Sequence, residues 1–313
     1  MTETNSASRR FRRVVILGHT GFIGTRLEQT VRLRWPGLEV VGCSLPAVDL
    51  TKAEDARSLA HLLDDETAVV MCATIKRQFG DTQEAFIKNV TMVMHLCDVL
   101  RERVVGRLVF FSSAAVYGED VHNSRITEET PVEPTSYYGM AKYISERLLW
   151  KTLGQREGQP VLILRPPLIY GSGDQAGTYG PSGFIRAALQ REPVVFWGDG
   201  TEQREFLFLD DAVELVCRLM VHEWSGVVNL ASGRSDTFKG ALEAVCRLSG
   251  VTLPVTSRPR TKAKVDNGFD NSRLKGLLPD FSFTGLEEGI RMTLEAESQR
   301  RASMNPESVG VRP

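Results

Sequence analysis

The chain has 313 residues, 42% of them hydrophobic and 25% charged, with a formal net charge of −1. That size suits one large α/β unit with a smaller lobe, and the charge balance offers no basic face for nucleic acid or an anionic membrane. No apolar run approaches the ~18 residues needed to span a bilayer. Five cysteines (43, 72, 97, 217 and 246) are scattered and odd in number, so they read as reduced core thiols of a cytoplasmic protein. The five histidines are equally dispersed, which argues against a metal site. Residues 1–13 carry charge but no apolar stretch, so no secretory signal is expected.

In chain order, four aliphatic residues, Val14 to Leu17, predict a buried parallel strand. Gly18, Gly21 and Gly24 follow at three-residue spacing, and Phe22, Ile23, Leu27, Val31 and Trp35 then recur at helical spacing. Strand, glycine turn and helix in succession form the context in which a helix N-terminus takes a dinucleotide pyrophosphate. Further strands are predicted at 38–43, 69–73, 108–112, 161–164 and 227–230, with helices between them, notably 81–103 and 137–153. That alternation predicts a doubly wound parallel sheet covered on both faces. From Pro166 the pattern breaks into short pieces rich in Gly and Pro, and 204–219 reads as a returning strand and helix capped by Asp210 or Asp211. The expected division is a dinucleotide-binding domain of residues 1–165 and 204–231 and a substrate lobe of 166–203 and 232–313. The polar ends, 1–8 and 298–313, are expected to fray.

Two segments carry the chemistry. Tyr138 and Lys142 lie one helical turn apart in Ser136-Tyr137-Tyr138-Gly139-Met140-Ala141-Lys142, so both side chains share a face. A cation beside a phenol favours the phenolate, which predicts an acid/base near neutral pH. The strand at 108–112 delivers Ser112 and Ser113 at its C-terminal end, where ligands bind in such sheets and where Ser113 can hold a substrate oxygen. Lys76 and Arg77 follow another strand end on the same side.

These segments, in this order, resemble the extended short-chain dehydrogenase/reductase family, in its nucleotide-sugar epimerase, dehydratase and reductase branch. The likeness continues through the runs from Leu164 to Asp174 and from Val195 to Asp211, Asn229-Leu230-Ala231-Ser232-Gly233 and Asp270-Asn271-Ser272-Arg273-Leu274. It implies a Rossmann-type sheet, an NAD or NADP cofactor and a nucleotide-sugar substrate. Residue by residue, it implies Tyr138 as acid/base, Lys142 on the nicotinamide ribose, Ser113 orienting the reacting oxygen, and Gly18, Gly21, Phe22, Ile23 and Gly24 as the pyrophosphate turn. Asp49, with Leu50, resembles the third-strand aspartate that contacts adenine. Ala73 would lie over the cofactor, Asn89 matches a helix asparagine of its site, Arg204 would meet the substrate diphosphate, and Lys76 would reach the sugar. The family also implies a homodimer built on the helices at 81–103 and 137–153.

Departures narrow the reaction. Ser44 ends the second strand where NAD enzymes carry an acid, and no arginine stands there for a 2′-phosphate. Leu168 replaces an asparagine that binds phosphate in many members. Ala114-Ala115 after Ser113 replace the Asp-Glu of the dehydratases, and Ala115 the cysteine of the double epimerases. The reading is an NAD(P)-dependent nucleotide-sugar 4-epimerase working through a 4-keto intermediate. The alternatives are an NAD(P)H-dependent reductase of a nucleotide-4-keto-6-deoxysugar, a non-sugar carbonyl reductase, and a cofactor-sensing protein without turnover.

Overall fold

A computed structural model describes residues 11–119, 122–154, 161–175, 180–260 and 263–304. Strands that are apolar along their whole length can be buried only with helices on both sides. Six largely apolar strands pair in parallel: β1 (Arg13–Leu17), β2 (Glu39–Cys43), β3 (Thr67–Met71), β4 (Arg107–Phe111), β6 (Val161–Arg165) and β11 (Gly226–Asn229), in the order β11-β6-β4-β3-β1-β2. One face is covered by α1 (Phe22–Arg34) and α6 (Leu209–Val221), which bury Leu27, Val31, Val213 and Val216 against it. The other is covered by α2 (Ala53–Ser58), α3 (Gln83–Glu102) and α4 (Tyr137–Leu153), through Leu96, Leu100, Leu149 and Leu153. The chain departs in opposite directions from β1, to β2 on one side and, two strands on, to β3 on the other. That reversal opens a crevice above the C-terminal strand ends, directly over the glycine turn.

Leaving β6, the chain builds a second apolar cluster around Phe184, Phe196, Phe206, Leu242, Val245 and Ile290. Short pairs frame it: β7 (Leu168–Tyr170) with β10 (Phe206–Phe208), and β8 (Val194–Trp197) with β13 (Val255–Arg258), both parallel. Two more pairs join neighbouring segments: β9 (Gln203–Arg204) with β12 (Asp236–Thr237), antiparallel, and β5 (Asn123–Ile126) with β14 (Asn267–Phe269), parallel. The helices here are α5 (Gly180–Gln190), α7 (Phe238–Ser249), α8 (Ser272–Leu277) and α9 (Leu286–Met304).

Three sequence expectations need correcting. No strand forms around Asp49: the link from β2 to α2 is a loop whose turn is closed by the Asp49 carboxylate, which accepts from the Thr51 N–H at 3.0 Å and hydroxyl at 2.7 Å. Neither Asp210 nor Asp211 caps α6, whose N-cap is Phe208 without a side-chain bond. Asp210 instead takes a bidentate pair from Arg26 at 2.7 and 2.6 Å, and Asp211 accepts from Thr284 at 2.8 Å. Residues 298–304 are not frayed but continue α9, while 1–8 and 305–313 lie outside the described residues. Among the described residues no helix is long and apolar enough to cross a membrane, and no cluster of His, Cys, Asp and Glu could hold a metal ion.

Candidate active site

A glycine at position 18 is dictated by crowding and by backbone angle. Its φ is +90°, and a Cβ there would lie 2.6 Å from the Ala73 nitrogen. The Leu17 carbonyl accepts from both Cys72 and Ala73 N–H at 2.8 Å, so the ends of β1 and β3 touch backbone to backbone. Gly18 N–H donates to Cys43 O at 2.7 Å and Gly21 N–H to Gly18 O at 3.0 Å. The first rung of α1 is Thr25 N–H to Gly21 O at 2.9 Å, so the N–H groups of Phe22, Ile23 and Gly24 precede the helical ladder and point out of its positive end. A dinucleotide pyrophosphate fits this cradle: side-chain-free backbone, free donors and a favourable dipole.

The cradle opens into a cleft of about 790 Å³ lined by Gly18, Gly21, Phe22, Ile23, Gly24, Ser44, Asp49, Leu50, Ala73, Lys76, Ser113, Tyr138 and Lys142. The sequence-predicted residues thus converge, with two exceptions. Asn89 is buried behind the cleft wall, its carbonyl accepting from Ile75 N–H at 2.7 Å and its amide donating to Ile75 O at 3.0 Å. It clamps the loop after β3 and does not face the cavity. The Arg204 guanidinium bonds to the carbonyls of Gln203, at 2.8 Å, and Val265, and it too is absent from the cleft lining.

Local packing sets the spacing of Ser113 and Tyr138. Ser113 caps the 3-10 turn Ala114–Tyr117 by accepting from Ala115 N–H at 3.1 Å. Ser136 caps α4 by accepting from Gly139 N–H at 3.1 Å. A Cβ on Gly139 would lie 2.6 Å from Ala115 O, so only glycine lets α4 seat this closely on that turn. The Tyr138 phenol bonds to Ser113, and Tyr138 N–H donates to Asp81 Oδ1 at 3.0 Å. Lys142 Nζ donates to Phe111 O at 2.7 Å and sits 5.6 Å from the Tyr138 ring centroid.

The electrostatics differ from the sequence expectation. Burial raises the Tyr138 phenol, the Ser113 bond opposes it and the Glu119 carboxylate adds to it; Lys142 is not what dominates. Burial lowers Lys142 to about 8, against the pull of Cys72 and Glu146. Desolvation thus outweighs the cation here. Lys76 is not a free loop charge either: Nζ lies 3.3 Å from Asp174 and 4.8 Å above the Phe22 ring, while Arg77 pairs with Glu119. Sequence reasoning gave no role to Asp81, Glu119 or Asp174, which arrive on loops, although Asp174 closes a segment that resembles the family. It also missed Glu146, although its position one turn beyond Lys142 could have been read from helical spacing.

A Bacillus subtilis protein described as an uncharacterized UDP-glucose epimerase is 26% identical over 64% of this chain and 64% of its own length. A putative UDP-glucose 4-epimerase of Methanocaldococcus jannaschii is 31% identical over 48% of this chain and 49% of its own. The chain therefore spans from about half to just under two thirds of the length of these relatives. The UDP-glucose 4-epimerase of Thermotoga maritima, solved with UDP-glucose, superposes with a TM-score of 0.82 at 22% identity, covering 92% of this chain and 99% of that one. Residues 14–231 match the family model described as the NAD dependent epimerase/dehydratase family, and the chain belongs to that family.

Proposed function

We propose that this chain is an NAD(P)-dependent nucleotide-sugar 4-epimerase. The observation that carries the reading is the convergence of Ser113, Tyr138 and Lys142 on the same cleft that the glycine cradle lines. A bound nicotinamide supplies hydride transfer at the sugar C4. Tyr138 exchanges a proton with the C4 oxygen, Ser113 fixes that oxygen, and Lys142 supplies positive charge beneath the phenol. The neutral Ala114 and Ala115 add no second acid or base beside Ser113, in keeping with chemistry at a single carbon. The likeness to the Thermotoga UDP-glucose 4-epimerase, solved with UDP-glucose, supports the substrate class.

On this reading residues 1–165 and 204–231 form the cofactor domain and the remainder the substrate lobe, with Ser44, Asp49 and Leu50 at the adenosine end. The protein works as a homodimer in the cytoplasm. The outer faces of α3 and α4 expose Ile87, Met94, Met140 and Ile144, an apolar stripe suited to self-pairing about a twofold axis. The test is proton NMR of UDP-glucose, UDP-N-acetylglucosamine and UDP-glucuronate with purified protein and NAD⁺. Appearance of a C4 epimer supports the reading.

One observation favours a second reading, a reductase of a nucleotide-4-keto-6-deoxysugar. Ser44 directly follows β2, its hydroxyl bonded to His19 Nδ1 at 2.9 Å, and no carboxylate stands there to repel a 2′-phosphate. Net NADPH oxidation with such a sugar, and no epimer from the panel, would select it.

A further inference from the structure

Tyr138, Lys142 and Glu146 form a stripe at successive turns of α4. Glu146, only 2% exposed, accepts from Arg165 Nε at 2.9 Å and Nη2 at 2.6 Å, and from the Ser112 hydroxyl. Arg165 Nη1 donates to the Tyr117 oxygen at 2.9 Å, and Tyr117 donates to Asn229 Oδ1 at 2.8 Å. This chain of bonds joins α4 to the ends of β4, β6 and β11 and to the turn after Ser113. An ion pair this deep gains little net stability over an apolar pair of the same shape. Its distinguishing property is where it puts a negative charge: one turn from Lys142, in a low-dielectric setting.

We propose that Glu146 is a positioning residue that keeps Lys142 charged, with Arg165 setting how much of its negative charge Lys142 feels. The groups around Lys142 are Tyr138 and Glu146 on its own helix, Cys72 beyond β3, and on β4 the Phe111 carbonyl and the Phe110 ring, 5.1 Å from Nζ; Ser112 and Arg165 act through their bonds to Glu146. Removing Glu146 takes the same anion away from Lys142 and Arg165, and removing Arg165 leaves the carboxylate without its neutralising partner, so that it acts more fully on Lys142. The two losses therefore have opposite signs at Lys142, although both break the same pair. A merely structural role predicts the same outcome for both.

The proposal rests on Tyr138 and Lys142 acting together, so the test reads Lys142 directly as well as turnover. The ε-ammonium of Lys142 is followed by ¹⁵N NMR in lysine-labelled protein, assigned with Lys142→Arg, and the pH profile of kcat/KM is taken with UDP-glucose. Glu146→Gln should lower the Lys142 titration by roughly one pH unit and Arg165→Gln should raise it by a similar amount. The alkaline limb of the rate profile should follow each. Circular dichroism checks folding, since each single change strands a buried charge. The double variant E146Q/R165Q removes both charges and should show a smaller downward shift, which decides the matter if a single variant does not fold. Titrations unmoved, or moved the same way in both singles, overturn the proposal. A titration that moves while the rate limb stays fixed upholds the electrostatic role and refutes instead the pairing of Lys142 with Tyr138 in catalysis.

Discussion

Gly24→Ala sets two opposed effects against each other. Gly24 is the third residue of α1, and alanine inside a helix is ordinarily favoured over glycine by about 1 kcal/mol. Here the added Cβ would lie 2.2 Å from Gly18 O, 2.7 Å from His19 Cα and 2.9 Å from Gly18 C. All three atoms are backbone, so no rotamer change relieves the clash. Restoring ordinary contact of about 3.4 Å requires the helix start to move roughly 1 Å away from the turn. Overpacking of this kind costs about 1–3 kcal/mol and occasionally more, so after the helix gain the net loss is roughly 0–2 kcal/mol. The same movement separates the first-turn N–H groups from the turn they must complete, and dinucleotide affinity should fall at least about tenfold, or ~1.4 kcal/mol. The control is Gly276→Ala in α8, where nothing lies within 4 Å of the new Cβ. That variant should be as stable as the parent or slightly more so. Chemical denaturation gives the stabilities and calorimetric titration with NAD⁺ and NADP⁺ the affinities. If Gly24→Ala matches Gly276→Ala in stability and both bind dinucleotide like the parent, the cradle does not work as described.

Other outcomes follow from the same geometry. Tyr138→Phe should keep fold and cofactor binding while lowering turnover by roughly two to four orders of magnitude; near-parental turnover removes its acid/base role. Lys76→Ala or Arg77→Ala should raise KM with little effect on dinucleotide affinity; changes under about twofold in KM and kcat would leave the Asp174 and Glu119 pairs as loop braces only. Glu205 is 1% exposed, with its pKa pushed up by burial to about 7 and only partly restored by the Ser232 and Gly233 N–H groups. A carboxylate raised in the folded state costs stability as pH climbs from its unfolded value through the folded one. Glu205→Gln should therefore gain on the parent by roughly 3 kcal/mol between pH 4.5 and 7, and a constant difference in ΔG across that range refutes it. Light scattering at micromolar concentration should give a dimer, and Met94→Glu on the exposed face of α3 should give monomer.

What was legible in the sequence is what short-range periodicity encodes. The run Val14 to Gly24 specified strand, turn and helix because its apolar run, glycine spacing and helical periodicity are all patterns within a few positions. The bounds of α4, from Tyr137 to Leu153, matched for the same reason, since Ser136 caps it locally. Side-chain direction at long range was not legible. Nothing near Asn89 says that its amide turns to the backbone of Ile75, nor near Arg204 that it turns to Val265 O. The Tyr138–Lys142 spacing was readable, but the balance of burial against charge was not, because desolvation depends on strands far away in the chain. The loop around Asp49 was read as a third strand by resemblance alone, and the short link after Gly42 leaves no room for one.

The partner strand of β6 has a consequence for how the protein is made. Arg165 pairs in register with Asn229, so β6 emerges from the ribosome well before the strand that closes its edge. At about 5–20 residues per second the gap lasts from roughly three to thirteen seconds. Throughout it, Val-Leu-Ile-Leu presents unpaired backbone to any other nascent chain. The same delay holds Tyr117 without Asn229, its hydrogen-bond partner. Synthesis therefore leaves an adhesive intermediate whose lifetime is set by translation speed, and slow codons between 166 and 225 would lengthen its exposure to aggregation or to a holding chaperone.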